Sequence, residues 1–266
     1  MISRLTYKES SWLRMLAFDR VPNRLKGPTV KPMRECQVID VGQQQYEDSL
    51  AIQEKIVQLR KSDQLPDCLL FVRYLHTITL GRSGKTNHLL VSKQELAKRG
   101  VGFYSTDRGG DITYHGPGQL IAYPVLDLKC YRRDIDWYLR GLERCLIQVL
   151  ASFGISASRV VGATGVWVGD QKIAAIGVRT SQWVTSHGVA LNVNPDLTFF
   201  DLIVPCGLAN RGVTSMAQVL RVEEIDLSEV RSRFCEEFGR VFDVTLRSEG
   251  IEISSSADDL LTVPTG

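Results

Sequence analysis

Twelve residues, Arg108-Gly-Gly-Asp-Ile-Thr-Tyr-His-Gly-Pro-Gly-Gln119, limit what the rest of this chain can build. Four glycines and a proline would ordinarily mean an open surface loop. Here they lie between two strand-like runs, Gly102-Phe-Tyr-Ser-Thr106 and Leu120-Ile-Ala-Tyr-Pro-Val-Leu126. Glycine in a strand context marks a bulge or a close approach by another backbone or a ligand. Interleaved with the glycines are Arg108, Tyr114, His115 and Gln119, more polar chemistry than a turn requires. The segment reads as a substrate cradle with exposed backbone N–H groups; a wide hairpin is the plainer reading.

The flanking sequence predicts one mixed α+β domain. Cys36 to Val41 suits a strand, and residues 46–60 suit an amphipathic helix with Ile52, Ile56 and Leu59 on one face. Asp67–Leu75 and Thr77–Leu80 read as strands, and Ser92-Lys-Gln-Glu95 as a capping box opening a short helix. Asp134 caps a helix running to Phe153, with Tyr138, Leu142, Leu146 and Val149 as its apolar stripe. Two strands, Gly165–Val168 and Lys172–Arg179, flank a turn at Gly169-Asp170-Gln171, and Trp183–Asn194 forms another strand. An apolar loop, Phe199–Gly207, leads to a last helix after Asp226, with Val230, Phe234, Phe238 and Val241 facing inward. The expected domain spans residues 35–250, between a basic extension (1–34) and a serine- and acid-rich tail (251–266).

Composition narrows the function classes. The net charge is +2, which argues against a nucleic-acid binder acting through charge alone. No run of about 18 apolar residues exists, so no membrane span is expected. The basic leader lacks the apolar core of a secretory signal, and a cytoplasmic location is expected, with organellar import as the lesser possibility. Gly81-Arg-Ser-Gly84-Lys85-Thr86 looks like the end of a phosphate-binding loop, but the motif requires glycine at position 79, which is Thr. A strand-ending turn is the better reading. The four histidines, at 76, 88, 115 and 187, have no metal-ligand spacing, and neither metal nor cofactor is expected.

Six cysteines, at 36, 68, 130, 145, 206 and 235, are scattered without CxxC spacing, as reduced thiols are. Cys36, Cys68, Cys145 and Cys235 fall in strand or helix patterns and suit core packing. Cys206 lies in a loop between Pro205 and Gly207. A nucleophilic cysteine needs a neighbour that favours thiolate. Lys172, set in an apolar strand, and His187 are both candidates, and spacing does not choose between them.

Four segments, Arg108–Gln119, Lys172-Ile-Ala-Ala-Ile-Gly177, His187-Gly-Val-Ala-Leu-Asn192 and Pro205-Cys206-Gly207-Leu208, resemble the signatures of the lipoyl(octanoyl) transferase family, in its order, across roughly residues 36–245. The resemblance implies the catalytic-domain fold of biotin/lipoate protein ligases, a mixed sheet flanked by helices. It implies transfer of an octanoyl group from acyl carrier protein to a lysine of lipoyl domains, in 2-oxoacid dehydrogenase complexes and the glycine cleavage H protein. It makes Cys206 the acyl-thioester nucleophile and Lys172 the residue that lowers its pKa. The substrate would be lined by Arg108, Gly109, Gly110, Asp111, Ile112, Thr113, Tyr114, His115, Ala175, Ile176, Gly177, Gly188, Val189 and Ala190. Gly188 with Ala190, and Ala175 with Gly177, would leave an apolar slot for the acyl chain. An ATP-dependent lipoate or biotin ligase shares that fold, but its adenylate loop carries a second arginine that Arg108-Gly-Gly-Asp111 lacks. A cysteine thioesterase using His187 would release free octanoate without an acceptor, and a non-catalytic carrier-binding module would gain no acyl mass.

Overall fold

The structure, a computed structural model, describes residues 34–205 and 211–248. The basic extension and the acidic tail lie outside the described residues. The chain begins with a long strand, β1 (Arg34–Gln44), and the amphipathic helix α1 (Tyr46–Lys61), followed by β2 (Asp67–Tyr74) and β3 (Thr77–Leu80). Helix α2 (Lys93–Lys98) is capped by the Ser92 hydroxyl, which accepts from the Glu95 N–H; the Glu95 carboxylate turns instead to Arg99. Strands β4 (Gly102–Ser105), β5 (Ile112–His115) and β6 (Gln119–Val125) come next. Helix α3 (Ile135–Ser152) starts at the Asp134 carboxylate, which accepts from the Trp137 N–H. Then follow β7 (Ser158–Val160), β8 (Ala163–Val168), β9 (Gln171–Ser181), β10 (Val184–Asn192), the short α4 (Met216–Leu220), α5 (Leu227–Phe242) and β11 (Val244–Arg247).

Eight strands form one mixed sheet in the order β11-β1-β2-β6-β10-β9-β8-β7. β1 runs parallel to both neighbours, and the remaining pairs are antiparallel. One face packs on α3 and α5 in a cluster that includes Leu142, Leu146, Phe234 and Phe238; the other packs on α1 through Ile52 and Ile56. Burying each such side chain contributes about 1.5–3 kcal/mol, so these clusters dominate the fold's stability. A second sheet, β4-β3-β5, closes over its own cluster with α2 and the two-turn 3-10 segment Leu197–Leu202.

The sequence-based outline departs from the structure in particular places. The middle of the glycine-rich segment is a strand, β5, paired antiparallel with β3 from Thr77↔His115 to Leu80↔Ile112. On α5 the fourth inward residue is Phe242 and not Val241, because the i+4 spacing from Phe234 and Phe238 continues to 242. Trp183 belongs to the β9–β10 turn: Gln182 and Trp183 both have positive φ, 54° and 69°, as a two-residue hairpin turn of the right-twisting kind requires. β7, α4 and β11 carry no clear sequence signal.

Candidate active site

A cavity of ≈ 400 Å³ opens between the two sheets. Its floor is the β9–β10 ladder, where Ala175 faces Ala190 and Gly177 faces Gly188 across the strands. Residues two apart on a strand share a face, so these four small residues stack as two adjacent rungs. The opposite wall comes from the glycine-rich segment, through Arg108, Gly110, Asp111, Ile112, Thr113 and His115. The mouth carries the exposed Ser83, Lys85, Gly162 and Thr164, and the buried Tyr46, Tyr123 and His187 also line the cavity.

Lys172 sits in this lining with 7% of its surface exposed. Its Nζ lies 4.8 Å from the centroid of the Trp167 ring, a cation–π contact. Its backbone is clamped to the segment after the Cys206 loop: the Lys172 N–H donates to Gly212 O at 2.9 Å, and the Thr214 N–H donates to Lys172 O at 3.0 Å. The segment before that loop is fixed as well, since the Val204 N–H donates to His88 O at 2.7 Å. Pro205, Lys172, Ala175, Ala190 and Val213 together line a small adjoining cavity. Both flanks of the loop thus converge on Lys172; Cys206 itself lies outside the described residues.

Of the five other cysteines, Cys130 is exposed and four are held in the core. Burial pushes the Cys36 and Cys145 thiols well above their ordinary value, Cys68 up to about 12 and Cys235 up to about 11. All four are therefore protonated at neutral pH, as core residues.

The Arg108 guanidinium is structural as well as wall-forming. It donates to Thr79 O at 2.8 Å and to Thr79 Oγ1 at 2.8 Å, bolting the wall to β3. Arg108 Nε reaches the same hydroxyl at 3.3 Å, and the hydroxyl lies 3.4 Å from His115 Nε2. Burial, then the nearby Arg108 charge, lowers the His115 pKa to about 3, so the ring is neutral. Asp111 holds its own strand, accepting from the Ile112 N–H at 2.7 Å, and accepts from His88 Nδ1 at 2.5 Å.

Two of the expected lining residues do not reach the cavity. Gly109 spends its N–H on Val178 O at 2.9 Å. Tyr114 turns into the small-sheet core, stacked on Phe199 with centroids 5.2 Å apart and hydrogen-bonded to His76 Nδ1 at 2.8 Å. The expectation of exposed N–H groups in this segment is corrected too. Those of Gly109, Ile112, Gly116 and Gln119 are all used internally, so these four offer no free donors.

The glycines serve a purpose that sequence alternation alone misplaces. A Cβ on Gly188 would lie 2.2 Å from Ala122 O and 2.7 Å from Pro124 Cδ, in the neighbouring strand and not in the cavity. A Cβ on Gly177 would come within 2.9 Å of Gly109 O. These two positions let backbones pack closely; Ala175 and Ala190 are the small side chains facing the slot. The cause of the misplacement is His187, whose φ of +55° breaks the alternation just before Gly188. On its N-terminal side, from Val184, β10 pairs with β9 but not with β6, and pairing with β6 begins at Val189.

His187 and Lys172 are far apart in this frame. His187 pairs with Val178, six residues along β9 from Lys172, or roughly 20 Å at ~3.3 Å per residue. Its Nε2 donates to Asp107 Oδ1 at 2.8 Å, and Asp107 is also paired with Arg179. The structure therefore brings Lys172, and not His187, to the flanks of Cys206. Missed by sequence reasoning were Ser83, Lys85 and His88. They come from the turn that resembles a phosphate loop: Gly84 N–H donates to Gly81 O at 2.9 Å, and Ser83 N–H to Gly110 O at 3.1 Å. It is a strand-ending turn, as expected, but it also builds the cavity mouth.

Solved structures share this architecture. A crystal structure of lipoate-protein ligase A bound with ATP superimposes with a TM-score of 0.69 at 17% identity, over 85% of this chain and 92% of that one. Protein Ta0514 of T. acidophilum, a putative lipoate protein ligase with bound lipoic acid, gives 0.67 at 18% identity, over 85% and 92%. At such identities the likeness defines a lipoate-ligase fold and nothing narrower. The sequence itself matches the lipoyl protein ligase A/B catalytic domain over residues 45–239. It is 50% identical over 211 residues to an octanoyltransferase of Solibacter usitatus (strain Ellin6076), covering 79% of this chain and 94% of that protein. It is 43% identical to one of Flavobacterium psychrophilum, covering 80% and 99%. The chain belongs to the octanoyltransferase family, acyltransferases built on the lipoyl protein ligase A/B catalytic domain. Among the described residues, no helix is long and apolar enough to cross a membrane.

Proposed function

We propose that this protein carries out octanoyl transfer for lipoate synthesis in two thioester steps, from octanoyl-acyl carrier protein to Cys206 and then to a lysine of a lipoyl domain. The observation that carries this reading is the convergence of both loop flanks, Pro205 and Gly212–Thr214, on the buried Lys172 beside a slot floored by Ala175 and Ala190.

In the first step the Cys206 thiolate attacks the donor's acyl carbon, the donor's C–S bond breaks, and the departing carrier thiolate takes up the proton that the Cys206 thiol gave up. The Lys172 ammonium favours the attacking thiolate by its charge. In the second step the neutral acceptor amine attacks the enzyme thioester, the C–S bond breaks as the amide forms, and the amine's proton passes to the released Cys206 thiolate. Splitting the transfer this way replaces one hard displacement with two easier ones. Thioester exchange is nearly balanced and amide formation is downhill, so no nucleotide is needed. Residues Arg108, Gly110–Thr113, His115, Ala175–Gly177 and Gly188–Ala190 would hold the acyl chain. Acceptors would be the lipoyl domains of 2-oxoacid dehydrogenase complexes and the glycine cleavage H protein, in the cytoplasm.

Mixing the protein with octanoyl-acyl carrier protein and measuring its intact mass tests the scheme. The expected result is a single octanoyl adduct that disappears on adding a lipoyl domain, which gains the same mass. Free octanoate released without acceptor would point to a thioesterase. Pyrophosphate released from ATP and lipoate would point to a ligase.

A further inference from the structure

The acyl cavity and a second, outer groove meet at one side chain. The groove, of ≈ 580 Å³, runs between α1 and the β9–β10 edge, past Gln53, Lys61 and Arg179. His187 is the residue, among those described, that lines both spaces. It is 3% exposed, yet Asp107 on its far side belongs to the groove. A wall one residue thick separates the buried slot from the exterior.

That wall is held with unusual care. The His187 backbone has φ +55°, a region that costs a non-glycine residue about 1–2 kcal/mol. Its N–H donates to the Gln53 side chain of α1, its ring donates to Asp107, and its edge meets the Tyr123 ring at 6.2 Å and 80°. Three separate elements therefore fix the position of one imidazole. The strain is confined to the point where β10 leaves β6, which is where the slot would otherwise run through the sheet.

The wall also stands at a meaningful distance. The Ala175/Ala190 rung adjoins Lys172 and Pro205, so the acyl carbonyl belongs there. The Val178/His187 rung lies three residues further, about 10 Å along the ladder. Extended chain advances about 1.2 Å per bond, so the seven carbon–carbon bonds of an octanoyl group span roughly 8–9 Å. A chain of eight carbons ends at the imidazole, and one of twelve does not fit.

We infer that His187 is the end wall of the acyl slot, a specificity-determining residue that sets the longest straight chain the enzyme accepts. The inference rests on the acyl-slot reading above. His187→Gly removes the ring while suiting the positive φ, because glycine adopts that region without strain. The protein and its variant are each given equimolar octanoyl- and dodecanoyl-acyl carrier protein with a lipoyl domain, and the acceptor is weighed. The expected result is a dodecanoyl-to-octanoyl ratio raised about tenfold over wild type, the scale on which a hydrophobic slot discriminates chain length. A purely structural histidine would lower both products together and leave the ratio where it was; that result overturns the inference. His187→Asn, smaller than histidine and tolerant of left-handed backbone, gives the same readout if the glycine variant does not fold. Should wild type modify no acceptor, the transferase reading fails on its own. Calorimetry with octanoate and dodecanoate then reads the wall directly: dodecanoate binding gained only by the variants supports it, and identical profiles refute it.

Discussion

The buried neutral His115 makes the fold sensitive to acid in a calculable way. Its pKa is about 3 in the folded chain and about 6.5 when unfolded, so the unfolded state binds the proton more tightly. Stability from this group is fully present above pH 6.5 and is lost as the pH falls toward 3. At about 1.36 kcal/mol per pH unit the full gap corresponds to roughly 4–5 kcal/mol, and the part between pH 6.5 and 4.5 to about 2.7 kcal/mol. His187, whose pKa burial also lowers, adds a slope of the same sign, partly offset by Asp107. The clean perturbation is therefore His115→Gln, which keeps a hydrogen-bonding partner for the Thr79 hydroxyl and removes the titration. It should cost about 1 kcal/mol at pH 7.5 through the altered hydrogen bond. Urea unfolding of both proteins from pH 7.5 to 4.5 then compares the slopes. The expected outcome is that the two stabilities converge and cross as pH falls, since His187 and the carboxylates are common to both. Parallel curves over that range would refute the argument, because they would mean that His115 is protonated as readily folded as unfolded.

Three further outcomes follow from the geometry. Cys206→Ser should abolish the octanoyl adduct in the intact-mass measurement, since burial holds Cys36, Cys68, Cys145 and Cys235 as thiols and the exposed Cys130 lines neither cavity beside Lys172; an undiminished adduct would place the nucleophile elsewhere. Lys172→Ala should move the midpoint of iodoacetamide alkylation at Cys206 up toward the free-thiol value of about 8.5, and an unmoved midpoint would clear Lys172 of the role. Gly188→Ala should destabilise the fold by about 1–3 kcal/mol in denaturant melts, because its methyl group would press on Ala122 O and Pro124; a wild-type midpoint would mean that the strands part without strain.

Much of the scaffold was legible because its signals are local. Asp134 and Ser92 cap the helices the sequence assigns to them, and the stripe from Tyr138 to Val149 is buried. The site was legible only in part, for reasons that are not local. Gly188 lines the cavity as strand alternation places it, but the positive φ at His187 turns its Cβ position against β6, and no residue type announces that turn. Tyr114 reads as a site residue by its position among polar neighbours, yet the alternation of β5 sends Thr113 and His115 to the cavity and Tyr114 to Phe199. His88 has no motif of its own. It joins the site because Leu89 bridges to Ile203, a pairing across more than a hundred residues.

That bridge shows how the chain solves a harder problem than making a pocket, which is holding a lysine and a loop in register when they come from different elements. Lys172 lies at the start of an interior strand of the main sheet, opposite Trp167 of β8. Its one N–H and one C=O take Gly212 and Thr214, so the chain returning from the loop becomes a short parallel neighbour of the lysine. The outgoing chain is fixed separately, by Val204 on His88, to the turn that forms the mouth. A displacement of either flank must break ladder-type hydrogen bonds that burial makes costly to leave unpaired. Backbone pairing tolerates changes of side chain, so the residues at 204 and 212–214 need only preserve it. Chemical identity is then demanded chiefly where the chain carries Lys172, Cys206 and the small pair Ala175 and Ala190.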